Sequence, residues 1–251
     1  MPIPVSRVGV QSWCYRKFPT TQAFTAEVKK LGMTRVELCG VHADFSKPET
    51  FAAVVADYKA AGITIGSIGV QGFSGNEAEE RKWFQFAKLA GTTSISADFR
   101  PDSTPQAFRV AEKLADEFNI NLAIHNHGGY HWLGSAQALQ WVFGQTSKRI
   151  GLCLDTAWAL DARENPVSMI ERFGERLYGL HLKDFTFDRA RQSTDVVIGT
   201  GNLDLRALGA AMDKVGYAGN TVIEYELDEE NPTPAITHCV AKLHEAWGIG
   251  A

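Results

Sequence analysis

Four apolar runs of this 251-residue chain, all beyond residue 120, each end in a side chain that can bind a metal ion. Leu-Ala-Ile leads to His125, Leu-Cys-Leu to Asp155, Gly-Leu to His181 and Val-Ile to Glu224. A polar or charged group at the end of an apolar strand is costly unless it is paired or metal-bound. Singly, each residue has a plain explanation: a histidine can be a hydrogen-bonded core residue, Asp155 can cap the next turn, and Glu224 can pair with Lys183. Four such coincidences on successive runs point instead to one site. Two imidazoles and two carboxylates make a donor set of borderline hardness, suited to Mn, Fe, Co, Ni or Zn. The carboxylates would neutralise a divalent ion. Such an ion polarises a carbonyl or a vicinal diol and acidifies the neighbouring C–H or O–H, and a carboxylate or imidazole beside it moves the proton. The expectation is one divalent metal ion held by His125, Asp155, His181 and Glu224.

Weaker candidates surround these. His127 lies two residues beyond His125 and points away from it by strand alternation, unless the strand ends there. Lys183 shares the parity of His181, which places it near the same mouth as a ligand for a substrate oxygen, with pairing to Glu226 or Asp184 as the alternative. Glu37, at the end of an early apolar run, is a candidate substrate contact. Trp13, His131 and Trp132 fall in loops where they would stack on a sugar face or pack at a rim.

These residues need a scaffold that brings strand ends together. Eight short apolar runs (7–13, 34–39, 63–70, 94–98, 121–125, 151–155, 178–183 and 221–225) alternate with amphipathic segments (21–31, 48–60, 77–90, 105–118, 136–145, 166–173, 205–215 and 232–246). Nearly continuous apolar runs fit parallel strands covered by helices. Lys47-Pro48-Glu49 and Asn165-Pro166 read as helix starts. Gly32, Gly62, Gly91 and Gly216 read as helix ends. Strict alternation with a count of eight favours a closed (β/α)8 TIM barrel over an open doubly wound sheet. The stretch after the first run, Gln11-Ser12-Trp13-Cys14-Tyr15-Arg16, lacks the glycines of a dinucleotide-binding turn. The whole chain, 1–251, reads as one domain of α/β class, with irregular loops over 128–135 and 185–202 at the barrel mouth.

Composition narrows the partners. The net charge of −4 offers no basic field for nucleic acid or anionic lipid. Cys14, Cys39, Cys153 and Cys239 are widely spaced and form no CxxC pair, so buried reduced thiols are expected. No run approaches the roughly 20 apolar residues that span a membrane. The first residues, Met-Pro-Ile-Pro-Val-Ser-Arg, do not read as a signal peptide, and a cytoplasmic protein is expected.

The motifs Ile-His125-Asn-His127-Gly, Leu-Cys-Leu-Asp155-Thr156, His181-Leu-Lys183-Asp184, Val-Ile-Glu224-Tyr and Gly199-Thr-Gly201-Asn-Leu-Asp204 resemble the sugar phosphate isomerase/epimerase superfamily, the xylose isomerase-like barrels. The resemblance covers essentially the whole chain, including the segments around Gln11 and Glu37. It implies metal ligands on strands five to eight, matched here by Asp155, His181 and Glu224, and a small sugar or polyol as substrate. Homo-oligomers are common in the family. Where the sugar epimerases carry a glutamate on strand five, this chain has His125, so one of the two carboxylate bases is missing or has become an imidazole. His-x-His on that strand is similar to the inosose dehydratase branch. Where the family often has a histidine three residues after the strand-six aspartate, this chain has Trp158, which lines a pocket but transfers no proton. The resemblance therefore implies isomerisation or epimerisation of a keto-sugar or polyol, with Glu224 as leading base and His125 or His127 as its partner and Lys183 beside them. The alternative is a lyase that enolises in the same way and then eliminates a leaving group. The superfamily's DNA-repair endonucleases need further His and Glu ligands and a basic surface. Histidine is scarce before residue 125, which with the net charge argues against that branch.

Overall fold

In the computed structural model, which describes residues 4–248, the alternation read from the sequence closes on itself. The strands are β1 (Val8–Gln11), β2 (Arg35–Leu38), β3 (Thr64–Phe73), β4 (Ser94–Phe99), β5 (Asn121–His125), β6 (Ile150–Asp155), β7 (Leu177–Leu182), β8 (Asp184–Phe187), β9 (Ser193–Val196) and β10 (Asn220–Ile223). Eight of them form a parallel barrel in the order β1-β10-β7-β6-β5-β4-β3-β2, while β8 and β9 pair antiparallel as a separate hairpin. The chain is a (β/α)8 TIM barrel, as expected. The ends of the 1–251 span, residues 1–3 and 249–251, lie outside the described residues.

The covering helices are α1 (Thr21–Lys30), α2 (Phe51–Ala60), α3 (Glu77–Ala90), α4 (Gln106–Phe118), α5 (Ala136–Gln145), α6 (Thr156–Asp161), α7 (Pro166–Phe173), α8 (Leu205–Lys214) and α9 (Thr233–Trp247). Their ends carry the chemistry that the sequence announced. Asn165 accepts from the N–H groups of Val167 and Ser168 ahead of Pro166. Gly91 ends α3 at φ 76°, a left-handed conformation that glycine adopts without Cβ strain. Buried apolar side chains between strands and helices form one continuous core, with Phe73 stacked on Phe99 and Phe108 edge-on to Phe99. All four cysteines are free and buried. No helix among the described residues is long and apolar enough to cross a membrane.

Parallel register aligns the critical strand ends. His125 lies opposite Cys153, Asp155 opposite His181, and His181 opposite Val222, two residues before Glu224. The structure departs from the sequence reading after β6 and β7. Six residues after Asp155 form α6, and the stretch expected to be irregular over 185–202 contains the β8–β9 hairpin. That hairpin runs into a loop pinned by one buried carboxylate. Asp184 accepts four backbone N–H groups, from Gly199 (2.9 Å), Gly201 (2.8 Å), Asn202 (2.8 Å) and Leu203 (2.9 Å). Asp184→Ala would strand these donors, and an unmade buried hydrogen bond costs about 1–3 kcal/mol. We expect a total loss of about 3–5 kcal/mol, because part of the loop will rehydrate; a urea midpoint lowered at constant slope reads it.

Candidate metal centre

The four expected ligands meet at the C-terminal ends of β5, β6, β7 and β10. His125 Nε2 lies 3.0 Å from His181 Nδ1, 3.5 Å from Asp155 Oδ2 and 3.9 Å from Glu224 Oε2, and His181 Nδ1 lies 3.1 Å from Glu224 Oε2. Each residue is buried. Two donors each about 2.1 Å from a shared ion stand about 3.0–3.4 Å apart in octahedral or tetrahedral arrangements, and the observed spacings bracket that range. The chemistry of the set agrees. Asp155 is 0% exposed and its Oδ2 has no hydrogen-bond partner. An orphaned carboxylate oxygen facing an imidazole nitrogen is a place for a cation. The residues present therefore fit a divalent ion.

Asp155 and the strand end beside His181 are held from behind. Asp155 Oδ1 accepts the Trp158 N–H (2.8 Å), so this carboxylate caps α6 with one oxygen and offers the other to the centre. Asn126 fixes the Asp155 backbone twice: its Nδ2 donates to the Asp155 carbonyl (3.0 Å) and its Oδ1 accepts the Asp155 N–H (2.8 Å). Thr156 Oγ1 accepts the Lys183 N–H (3.0 Å) and ties β6 to the end of β7.

Charge follows the same geometry. Burial pushes the Glu224 carboxyl up, but Lys183 and His181 outweigh it and hold the group well below the usual carboxylate range. Burial pulls the Lys183 ammonium down, while Glu224, Asp155 and Glu226 together raise it, so it stays protonated. Lys183 contacts Glu226 Oε1 and lies 3.9 Å from Glu224 Oε2, under the ring of Trp158 (5.4 Å). Of the two sequence expectations for it, the pairing with Glu226 is seen; Lys183 itself is 1% exposed and is not among the residues that line the cavity. Burial, with His125 and His131 nearby, pushes His127 down to about 3, leaving a neutral imidazole.

A cavity of about 430 Å³ opens above the centre and is lined by Gln11, Trp13, Cys39, His125, His127, Trp158, Glu224 and Glu226, among others. Trp13 and Trp158 thus stand where a substrate wall was expected. His127 also lines it: β5 stops at His125, so strand alternation no longer applies, and the two rings pack 4.7 Å apart. A larger cavity of about 670 Å³ is lined by Glu171, Arg172, Glu175 and Arg176 together with Phe143, Phe173 and Val215, and by no histidine or cysteine.

Two expectations need correction. Glu37 does not line the cavity. It is 1% exposed inside the barrel, and its oxygens accept from Gln11 Nε2 (2.7 Å), Ser96 Oγ (2.9 Å) and Ser67 Oγ, and lie 2.8 Å from His181 Nε2. Its strand-end position looked equivalent to the others, but it sits beneath the centre rather than at the mouth. His131 does not line the cavity. Its Nδ1 accepts the Leu133 N–H (3.3 Å) and its Nε2 faces Asp98 Oδ1 (3.6 Å). Asp98 Oδ1 and His127 Nδ1 have no hydrogen-bond partner, so Asp98, His127 and His131 form a second, half-buried group of potential donors beside the cavity. The sequence reading missed Gln11, Cys39 and Asn126, ordinary polar or small residues that acquire meaning only from their neighbours.

The xylose isomerase-like TIM barrel family model matches residues 25–239. The chain belongs to that family. Among xylose isomerase-like barrels, inosose dehydratase from Klebsiella pneumoniae is 26% identical over 181 residues, 62% of this chain and 60% of that protein. The chain spans 42% to 60% of the length of the first curated relatives it matches. Two solved structures show the same fold: IOLI protein with a bound zinc atom (12% identical, 96% of this chain and 98% of that one, TM-score 0.78) and L-ribulose 3-epimerase (16% identical, 97% and 95%, TM-score 0.71). The relatives of this xylose isomerase-like barrel include dehydratases and epimerases, and a zinc-bound neighbour together with the buried His/Asp/Glu cluster points to a divalent metal.

Proposed function

We propose that this chain, acting as one domain, is a divalent-metal-dependent isomerase or epimerase of a keto-sugar or related polyol. The observation that carries the reading is the buried cluster of His125, Asp155, His181 and Glu224, with Asp155 Oδ2 orphaned among donors 3.0–3.9 Å apart. One ion of Mn, Zn, Co, Ni or Fe, held by these four residues, would polarise a substrate carbonyl and acidify the adjacent C–H.

The chain's own groups do the rest. Glu224, kept ionised by Lys183 and His181, accepts the proton. Its reach into the cavity is matched by His127, from a different strand end, which is neutral and able to accept or return a proton. Lys183, kept an ammonium by Glu224, Asp155 and Glu226, holds a developing negative charge near Glu224 and is itself no base. Trp13 and Trp158 offer flat apolar faces to a sugar ring. The charged groups lining the cavity apart from histidine are Glu224 and Glu226, which suits an uncharged hydroxylated substrate. The neighbour named L-ribulose 3-epimerase supports the epimerase reading.

The test is to incubate the metal-loaded protein with a panel of keto-sugars and inososes in heavy water and follow mass. Uptake of one deuterium into an isomeric product, absent in Glu224→Gln, is the expected result. A product lighter by one water would move the assignment to the dehydratase type. No exchange with any member of the panel would overturn the reading.

A further inference from the structure

The two imidazoles of the centre are built differently. His125 Nδ1 is buried and has no partner. His181 Nε2, on the far side of its ring from the centre, lies 2.8 Å from Glu37 Oε1. We infer that Glu37 is a positioning residue that makes His181 the anchor of the metal centre by fixing its proton on Nε2 and its lone pair on Nδ1. The inference rests on the proposed metal site.

The argument is one of donors and acceptors. An ionised carboxylate only accepts. The Glu37 oxygens already take the Gln11 amide N–H and the Ser67 and Ser96 hydroxyls, so the carboxylate faces His181 as an acceptor. The short Nε2–Oε1 contact therefore needs the His181 proton on Nε2. With Nε2 donating to Glu37, Nδ1 is the atom that faces His125 Nε2 (3.0 Å) and Glu224 Oε2 (3.1 Å), where an ion would displace its proton and take the lone pair. Glu37 cannot swing away from this task. Gln11, Ser67 and Ser96, on three different strands, donate to it, and Ser67 Oγ in turn accepts from Asn220 Nδ2 (2.6 Å) at the start of β10. A carboxylate this deep inside a barrel, with all its capacity used and no access to the cavity, is there for the imidazole above it. Such outer partners orient metal-bound histidines and raise their basicity, and their loss typically weakens metal binding 10- to 100-fold.

The test compares wild type, Glu37→Gln and Ser96→Ala as full-length chains stripped of metal and titrated with Co(II) and Zn(II) against a chromophoric chelator, with the Co(II) absorption spectrum as second readout. Glu37→Gln is expected to raise Kd about 10- to 100-fold and to shift the Co(II) spectrum, while Ser96→Ala, which leaves the carboxylate but loosens it, raises Kd less. A purely structural Glu37 would lower the melting temperature and leave Kd and the Co(II) spectrum of the folded fraction unchanged; that result overturns the inference. If Glu37→Gln fails to fold, Ser96→Ala decides: an unchanged Kd and spectrum overturn it as well. A wild type that binds neither ion overturns the metal site itself and this inference with it.

Discussion

Asp155→Asn is expected to lose the metal and keep the fold. The two oxygens of Asp155 have separate duties. Oδ1 caps α6 through the Trp158 N–H, and Oδ2 faces His125 with no partner of its own. An asparagine keeps an oxygen for the cap and replaces the charged donor with a neutral amide. Bound metal, read by mass spectrometry, should fall from about one equivalent to a small fraction. Activity should fall at least about 10³-fold, beyond the 10- to 100-fold typical of groups that only support ligands. Stability should change little in the stripped protein. There Asp155 is a buried carboxylate whose Oδ2 makes no hydrogen bond. The Lys183 ammonium nearby offsets only part of the cost of burying it, so exchanging the charge for a neutral amide is close to neutral. Metal-free Asp155→Asn should thus unfold at a urea concentration close to that of metal-free wild type. Asp155→Ala loses the cap too, and should fall below Asp155→Asn by about 1 kcal/mol. The Asn126 bonds survive in both variants because they engage the Asp155 backbone. A variant Asp155→Asn that retains its full equivalent of metal would overturn the ligand assignment.

The barrel and its four donors were legible because they obey a simple rule: a costly polar group at the end of an apolar strand needs a reason, and parallel strands bring such ends together. His125, Asp155, His181 and Glu224 all follow it, and β5, β6, β7 and β10 end at or within two residues of them. Glu37 follows the same rule on the sequence and yet sits elsewhere. Its depth depends on the register of β2 against β1 and β3, which pairs it with Gln11 and Ser67 inside the barrel, and no local pattern carries that information. The β8–β9 hairpin was hidden by composition. Its four-residue strands, Asp-Phe-Thr-Phe and Ser-Thr-Asp-Val, read as loop, but they pair once Asp184 gathers the 199–203 backbone behind them. His127 faces the cavity because β5 stops at His125, the case in which alternation no longer applies. For Glu37 and the hairpin, the property that mattered was set by residues outside the local pattern.

His127→Asn should separate proton abstraction from product formation. The imidazole lines the cavity beside His125 and lies outside the set of four donors, so bound metal should remain near one equivalent. Positioned acid–base groups contribute about 10²–10⁴-fold, and kcat should fall by that range. The two-sided arrangement makes a sharper statement possible. If Glu224 takes the proton from one face of the substrate and His127 serves the other, the variant should still wash deuterium from heavy water into recovered substrate while the epimeric or isomeric product fails to accumulate. Wild type should show label in both. The cause is physical: Glu224 keeps its neighbours Lys183 and His181 and hence its ionisation, and only the second proton-transfer group is gone. Product formation unchanged in His127→Asn would remove His127 from the chemistry and leave Glu224 to act on one face alone, a geometry that fits simple enolisation better than inversion.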